Sequence, residues 1–224
     1  MVNLFNIFLI ILITFVSYRY FALKESLAPN ENRAFAYVKA MGQVLDRIEG
    51  YESLHAGEIA EIAQEIALAK SLDGQEVQGI IFAAQLHDLG EALLSKDLFK
   101  AKEKLDEDQL FLLRTHPLLG EMELKNNDFP YDEVPALIRW HHERFDGSGY
   151  PDGLKAKEIP LGARILTLAD SVSAMKNVRP YRDRKLSSTE ILRELDLQSG
   201  LQFDPELVEI YKMLYLQNTE EAEA

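Results

Sequence analysis

Five histidines occur among the 224 residues: His55, His87, His116, His141 and His142. Three fall on apolar patterns of helical spacing. His55 stands four positions before Ile59 and seven before Ile62. His87 stands four after Ala83 and seven after Ile80, and His116 four after Leu112 and three after Leu113. Residues so spaced share the inward face of a helix, and these three belong to different helices. His141 and His142 close a fourth. Two aspartates share this character. Asp88 follows His87 in an apolar segment, and Asp170 is the lone charge between Arg164 and Lys176. One histidine on an apolar face is ordinarily a hydrogen-bonded core residue. Five inward imidazoles with two inward carboxylates form a costly core unless something compensates them, and bound metal does so. A His-Asp dipeptide suits a two-metal site, the histidine on one ion and the aspartate reaching both. Nitrogen and oxygen donors without thiolate fit iron, manganese, zinc or nickel better than magnesium or calcium. The absence of cysteine removes disulfides and thiolate sites. No CxxC or HExxH pattern is present, which argues against the common structural and peptidase zinc sites.

The elements that must carry these residues read as helix after helix. Helical patterns cover Arg33–Ile48, Tyr51–Lys70, Gln75–Leu89, Glu107–Lys125, Tyr131–His142, Pro160–Lys176, Ser188–Leu195 and Asp204–Leu216. Pro130, Pro135, Pro160 and Pro205 fall near starts, where proline costs little. No stretch alternates at period two with β-branched enrichment, so strands are not expected. Gly147–Gly153 (GSGYPDG) is the one glycine-dense loop.

The ends differ from the middle. Leu4–Val16 carries no charge, and Tyr18, Arg19, Tyr20 and Lys24 border it on one side with aromatic and basic residues. We read residues 1–23 as an uncleaved transmembrane anchor. A signal peptide would want a basic leading segment and a small-residue cleavage site, and a core helix would want a polar face. With no Lys or Arg before the apolar run, the positive-inside rule directs the rest of the chain to the cytoplasm. The expected location is therefore the inner (cytoplasmic) membrane, single-pass. Residues 24–32 read as a linker, 33–217 as the catalytic domain and 218–224 as a flexible acidic tail. The net charge of −13 disfavours a nucleic acid polymer as partner. A phosphate ester would have to be met by a few placed cations or by metal.

These residues resemble the HD-GYP family of the HD superfamily over roughly Tyr51 to Arg182. The resemblance is carried by His55 in HAGEIA, by His87-Asp88-Leu89-Gly90, by His116 in RTHPLLGE, and most densely by HHERFDGSGYP from His141 to Pro151. Asp170 and Arg179-Pro180-Tyr181-Arg182 extend it. It implies an all-α, HD-superfamily helical bundle and hydrolysis of cyclic di-GMP to linear pGpG and/or GMP, dependent on two divalent metal ions, iron or manganese. It also implies a ligand set: His55, His87, Asp88 and Asp170 around one ion, with Asp88 bridging to a second held by His116, His141 and His142. His87 and Asp88 are the implied catalytic dyad. Arg179 and Arg182 match substrate-phosphate contacts, and Gly149, Tyr150 and Pro151 border the implied pocket. Some members hold a third metal through a glutamate where this chain has Tyr51, so a binuclear site is expected.

Two positions depart from the family. Glu91 stands where lysine is usual, and Ser173 where a second aspartate is common. An anion at the first position opposes a phosphodiester. The alternatives are therefore a catalytically weak or inactive signalling module that binds nucleotide or a partner protein, and a phosphohydrolase acting on another nucleotide. Regulatory input could come from a membrane partner or from homodimerisation through the Arg33–Ile48 helix.

Overall fold

The computed structural model describes residues 31–49, 55–95, 98, 105–177 and 184–223. Within them lie nine α-helices: α1 (Glu31–Glu49), α2 (His55–Ala69), α3 (Gly74–Leu86), α4 (Glu107–Leu113), α5 (His116–Asn126), α6 (Val134–Arg139), α7 (Leu161–Lys176), α8 (Ser188–Gln198) and α9 (Pro205–Glu223). Short 3-10 turns at Leu89–Leu93 and Ala156–Glu158 join them. No strand forms among the described residues, where one isolated bridge links Ser199 and Phe203. The all-helical expectation holds.

The centre is a sandwich of α2, α3 and α7. Its apolar residues recur at helical spacing: Ile59, Ala63, Ile66 and Ala67 on α2, Ile80, Ala83 and Ala84 on α3, and Ile165, Leu168, Ala169 and Val172 on α7, all fully or almost fully buried. Alanines at the crossings let the axes approach, and each large aliphatic side chain contributes about 1.5–3 kcal/mol by leaving water. The start of α3 is fixed by a capping box, in which Asp73 accepts from the Gln75 and Glu76 amides and Glu76 accepts in return from Asp73 N–H. Asp106 with Gln109 and Ser187 with Glu190 repeat the device at α4 and α8.

Four boundaries differ from the sequence reading. The stretch expected as one helix from Glu107 to Lys125 breaks at Arg114–Thr115 into α4 and α5, with Pro117 in the first turn of α5. Proline there lacks only a donor that the helix start leaves unused, whereas inside a continuous helix it would remove a bond and clash with the preceding turn. The expected helix over Gln75–Leu89 stops at Leu86, just before the His-Asp pair, and α6 is shorter than the Tyr131–His142 expectation. At the other end α9 continues to Glu223, through the stretch expected to fray. The expected anchor at 1–23, most of the linker, Tyr51, Arg179 and Arg182 lie outside the described residues. Among the described residues no helix is long and apolar enough to cross a membrane.

Candidate metal centre

The five histidines stand at helix ends rather than in helix interiors. His55 opens α2, His87 follows α3, His116 opens α5, and His141 and His142 follow α6. Helix ends leave backbone carbonyls without intrahelical partners, and three of the rings use them. Nδ1 of His87 lies 3.0 Å from the Ala84 carbonyl, Nδ1 of His116 2.8 Å from that of Leu113, and Nδ1 of His141 2.6 Å from that of Ile138. A carbonyl only accepts, so each Nδ1 carries the proton and each Nε2 presents a lone pair.

Those lone pairs converge on Asp88. Its Oδ2 is 2.7 Å from His87 Nε2, and its Oδ1 is 3.3 Å from His116 Nε2 and 3.8 Å from His141 Nε2. His116 and His141 bring their Nε2 atoms within 3.4 Å of each other. Two groups of donor atoms result, each within 4.8 Å across: Asp88, His116, His141 and His142, and His55, His87 and Asp170. His55 Nε2 stands 3.6 Å from Asp170 Oδ1. Every residue expected as a metal ligand is thus drawn into one of two adjoining groups, and the two oxygens of Asp88 face one group each.

The electrostatics agree with cation binding. Burial alone would raise the Asp88 carboxyl, but the charge that His87, His116 and His141 carry when protonated holds it well below its ordinary range. Loss of solvent pushes His116 down despite the attraction of Asp88. Burial, reinforced by the neighbouring rings, lowers His141 further, and His142 falls to about 3. The rings are therefore neutral near pH 7, the form that coordinates metal. Neutral imidazoles whose lone pairs face one another at 3.4 Å repel unless a positive centre lies between them. The donor set fits divalent metal, with nitrogen and oxygen only.

The frame around these ligands was not legible in the sequence. Gly90 lets the turn after Asp88 lie directly on the start of α5, since a Cβ there would stand 1.9 Å from the His116 carbonyl oxygen. Asp46 on α1, buried, accepts the Ala56 amide at 3.1 Å and so caps the helix that presents His55. Burial raises its carboxyl. Thr167 donates to the His141 carbonyl at 2.7 Å. Glu143, next to the paired histidines, turns its Oε1 to the amides of Asp152 (2.7 Å) and Gly153 (3.0 Å) and thereby moors the glycine-dense loop. Gly149 packs on the same backbone, where a Cβ would come within 2.5 Å of the Glu143 Cα. Asp152 accepts from Arg139 at 2.7 and 2.8 Å and from the Trp140 indole at 2.6 Å, and the Arg139 bonds draw its carboxyl down to about 2.

The loop sets Tyr150 over the cluster. Its ring stacks on His142 with centroids 4.8 Å apart, and the Arg114 guanidinium lies 5.5 Å from its centroid on the turn between α4 and α5. Pro151 follows through a cis bond. Burial, with the charges of Asp88, Glu91 and Asp170, raises the Tyr150 hydroxyl, against the opposite influence of Arg114. Glu91, on the turn after Asp88, is thus within electrostatic reach of this ring.

Comparison with known proteins identifies the family. The HD domain model matches residues 22–207. The chain is 34% identical over 188 residues to the cyclic di-GMP phosphodiesterase response regulator RpfG of Xanthomonas campestris, covering 84% of this chain and 50% of that protein. It is 32% identical over 177 residues to a cyclic di-GMP phosphodiesterase of Thermotoga maritima, covering 77% of this chain and 48% of that one. The chain therefore spans about half the length of these curated relatives. In fold it is similar to a cyclic GMP-AMP specific phosphodiesterase of Vibrio cholerae, with a TM-score of 0.63 at 22% identity over 80% of this chain and 48% of that one. By the extent of the family match and by its motifs, the chain belongs to the HD domain family, with the HD-GYP signature.

Proposed function

We propose that the chain is a metal-dependent phosphodiesterase that opens cyclic di-GMP to linear pGpG and/or GMP. The observation that carries this reading is the meeting of two donor groups at one mostly buried carboxylate, Asp88. His55, His87 and Asp170 would hold one divalent cation and His116, His141 and His142 another, with Asp88 shared. A pair of iron or manganese ions in that position supplies a lowered water pKa and Lewis-acid stabilisation of the phosphoryl oxygens. The chain's own residues do the rest. The three Nδ1–carbonyl bonds keep the Nε2 lone pairs aimed inward. Gly149, Tyr150 and Pro151 border the substrate, and Tyr150 closes the outer face of His142. Arg179 and Arg182 would meet substrate phosphate. The relatives' names support cyclic di-GMP as the substrate.

The same reading places residues 33–217 in the catalytic domain and anchors it by residues 1–23 in the inner membrane, facing the cytoplasm. Dimerisation through α1 is one route for control, and its exposed Phe35, Tyr37 and Val44 support it. Glu91 favours a second reading, a nucleotide-binding module with little turnover, because an anion near Tyr150 opposes a phosphodiester.

The test is metal analysis of the anaerobically purified chain followed by incubation with cyclic di-GMP and, in parallel, other cyclic dinucleotides. We expect about two metal equivalents and turnover that disappears in Asp88→Ala. Two metals without turnover, with turnover gained in Glu91→Lys, would favour the second reading. A chain that takes up no divalent metal would overturn both.

A further inference from the structure

His87, His116 and His141 each find a backbone carbonyl three residues earlier, in the turn that precedes them. His55, the first residue of α2, has a side-chain partner across the helix pair. Its Nδ1 turns to Ser173 Oγ on α7, at 3.0 Å. Ser173 is fully buried, and its Oγ lies 2.7 Å from Glu58 Oε2. That same carboxylate oxygen takes the Asn177 side-chain amide at 2.7 Å, so it is presented as an acceptor. Asn177 also donates to the Ser173 carbonyl at 3.0 Å, and Lys176 Nζ stands 3.9 Å from Glu58 Oε1.

The direction of this chain of bonds follows from proton counting. A serine hydroxyl has one proton. It goes to Glu58, which leaves the Ser173 oxygen to accept, and only a protonated His55 Nδ1 can supply the donor. The Nε2 of His55 is then a lone pair facing Asp170. We infer that Glu58 and Ser173 are positioning residues for the metal centre: through two hydrogen bonds they fix the ring nitrogen that His55 offers. Neither belongs to either donor group. The backbone sets three rings, and a side-chain relay between α2 and α7 sets the fourth. Outer-shell partners of this kind hold the tautomer and orientation of a ligating imidazole.

The inference rests on the metal-site reading for its purpose, but its geometry can be tested separately. In the metal-stripped full chain, nitrogen NMR of the labelled histidines distinguishes protonated from bare ring nitrogens. We expect His55 in the wild type to carry its proton on Nδ1 alone. Ser173→Ala removes the acceptor at small steric cost. Glu58→Gln, on a half-buried side chain, offers an amide that can reverse the serine. Both should mix the two tautomers of His55 while His87, His116 and His141 keep theirs. In chelator competition on protein as purified, one metal equivalent should bind about 10–100-fold more weakly in both variants and the other unchanged. The double variant Ser173→Asp with Glu58→Gln places an acceptor directly against Nδ1 and should restore the affinity. A wild-type His55 protonated on Nε2, or unaltered tautomer and metal affinity in both variants, would overturn the relay. A wild type that binds no metal but shows the expected tautomer would instead reject the metal reading and keep the relay.

Discussion

The two donor groups are built by different means. Asp88, His116, His141 and His142 belong to short connections in which helices end or begin, and the His116 and His141 rings are aimed by carbonyls of the immediately preceding turns. The group of His55, His87 and Asp170 spans α2, the end of α3 and the middle of α7, and His55 depends on a side chain 118 residues away in sequence, Ser173. In the first group the orientation of His116 and His141 is set locally, by where helices stop. In the second, His87 is again held by its own turn, whereas His55 is oriented only once α2 has docked on α7. A ligand aimed by its own backbone tolerates change elsewhere in the protein. A ligand aimed across a helix pair inherits every defect in that packing.

Asp88→Asn tests the link between the groups most severely. It keeps the shape and removes the charge that both face, so both metals should be lost. Lewis-acid stabilisation is worth several kcal/mol, and turnover should fall by roughly 1,000-fold or more. Metal analysis and initial rates check this; retention of both metals would show that the groups are independent. The next largest effect separates them. His116→Ala should release one metal equivalent and His55→Ala the other, each leaving its neighbour bound, as read by elemental analysis after dialysis. Loss of both metals from either variant would mean a single cooperative site.

Gly90→Ala attacks only the locally built group, by driving a Cβ into the His116 carbonyl. We expect about 1–3 kcal/mol of destabilisation in denaturant unfolding, with weaker metal binding at that group alone. The smallest effect concerns acid. His116, His141 and His142 have folded-state pKa values below the ordinary 6.5, that of His142 falling to about 3. The unfolded chain therefore takes up protons first as the pH falls. Stability of the metal-free protein is complete above about pH 6.5 and declines from there toward about pH 3. The lowered Asp88 carboxyl adds to the loss at the acid end of that window. Thermal melts at several pH values check the slope, and a melting temperature that rises on acidification would contradict it.

What could be read from the sequence divides along the same line. All seven expected ligands announce themselves, because polar residues at inward helical positions stand out against apolar neighbours. The helical class follows from the same periodicity. The break at Arg114–Thr115 had a local signal in Pro117, but the apolar spacing on both sides concealed it. Asp46, Glu58, Glu143 and Asp152 gave no signal. Each is an ordinary charged residue whose role is decided by a partner remote in sequence or across a loop, and periodicity carries no information about such pairs. The placement of histidines at helix ends was also hidden, because apolar spacing continues past the last helical hydrogen bond.

Trp140 is the only tryptophan in the chain. It directly precedes the paired histidines, and its indole donates to Asp152 of the loop that carries Tyr150. Nature has thus placed the sole long-wavelength fluorophore where the loop meets its mooring. Indole emission from this protein therefore arises at one position, beside the loop's mooring, with no dye attached and no background from other indoles.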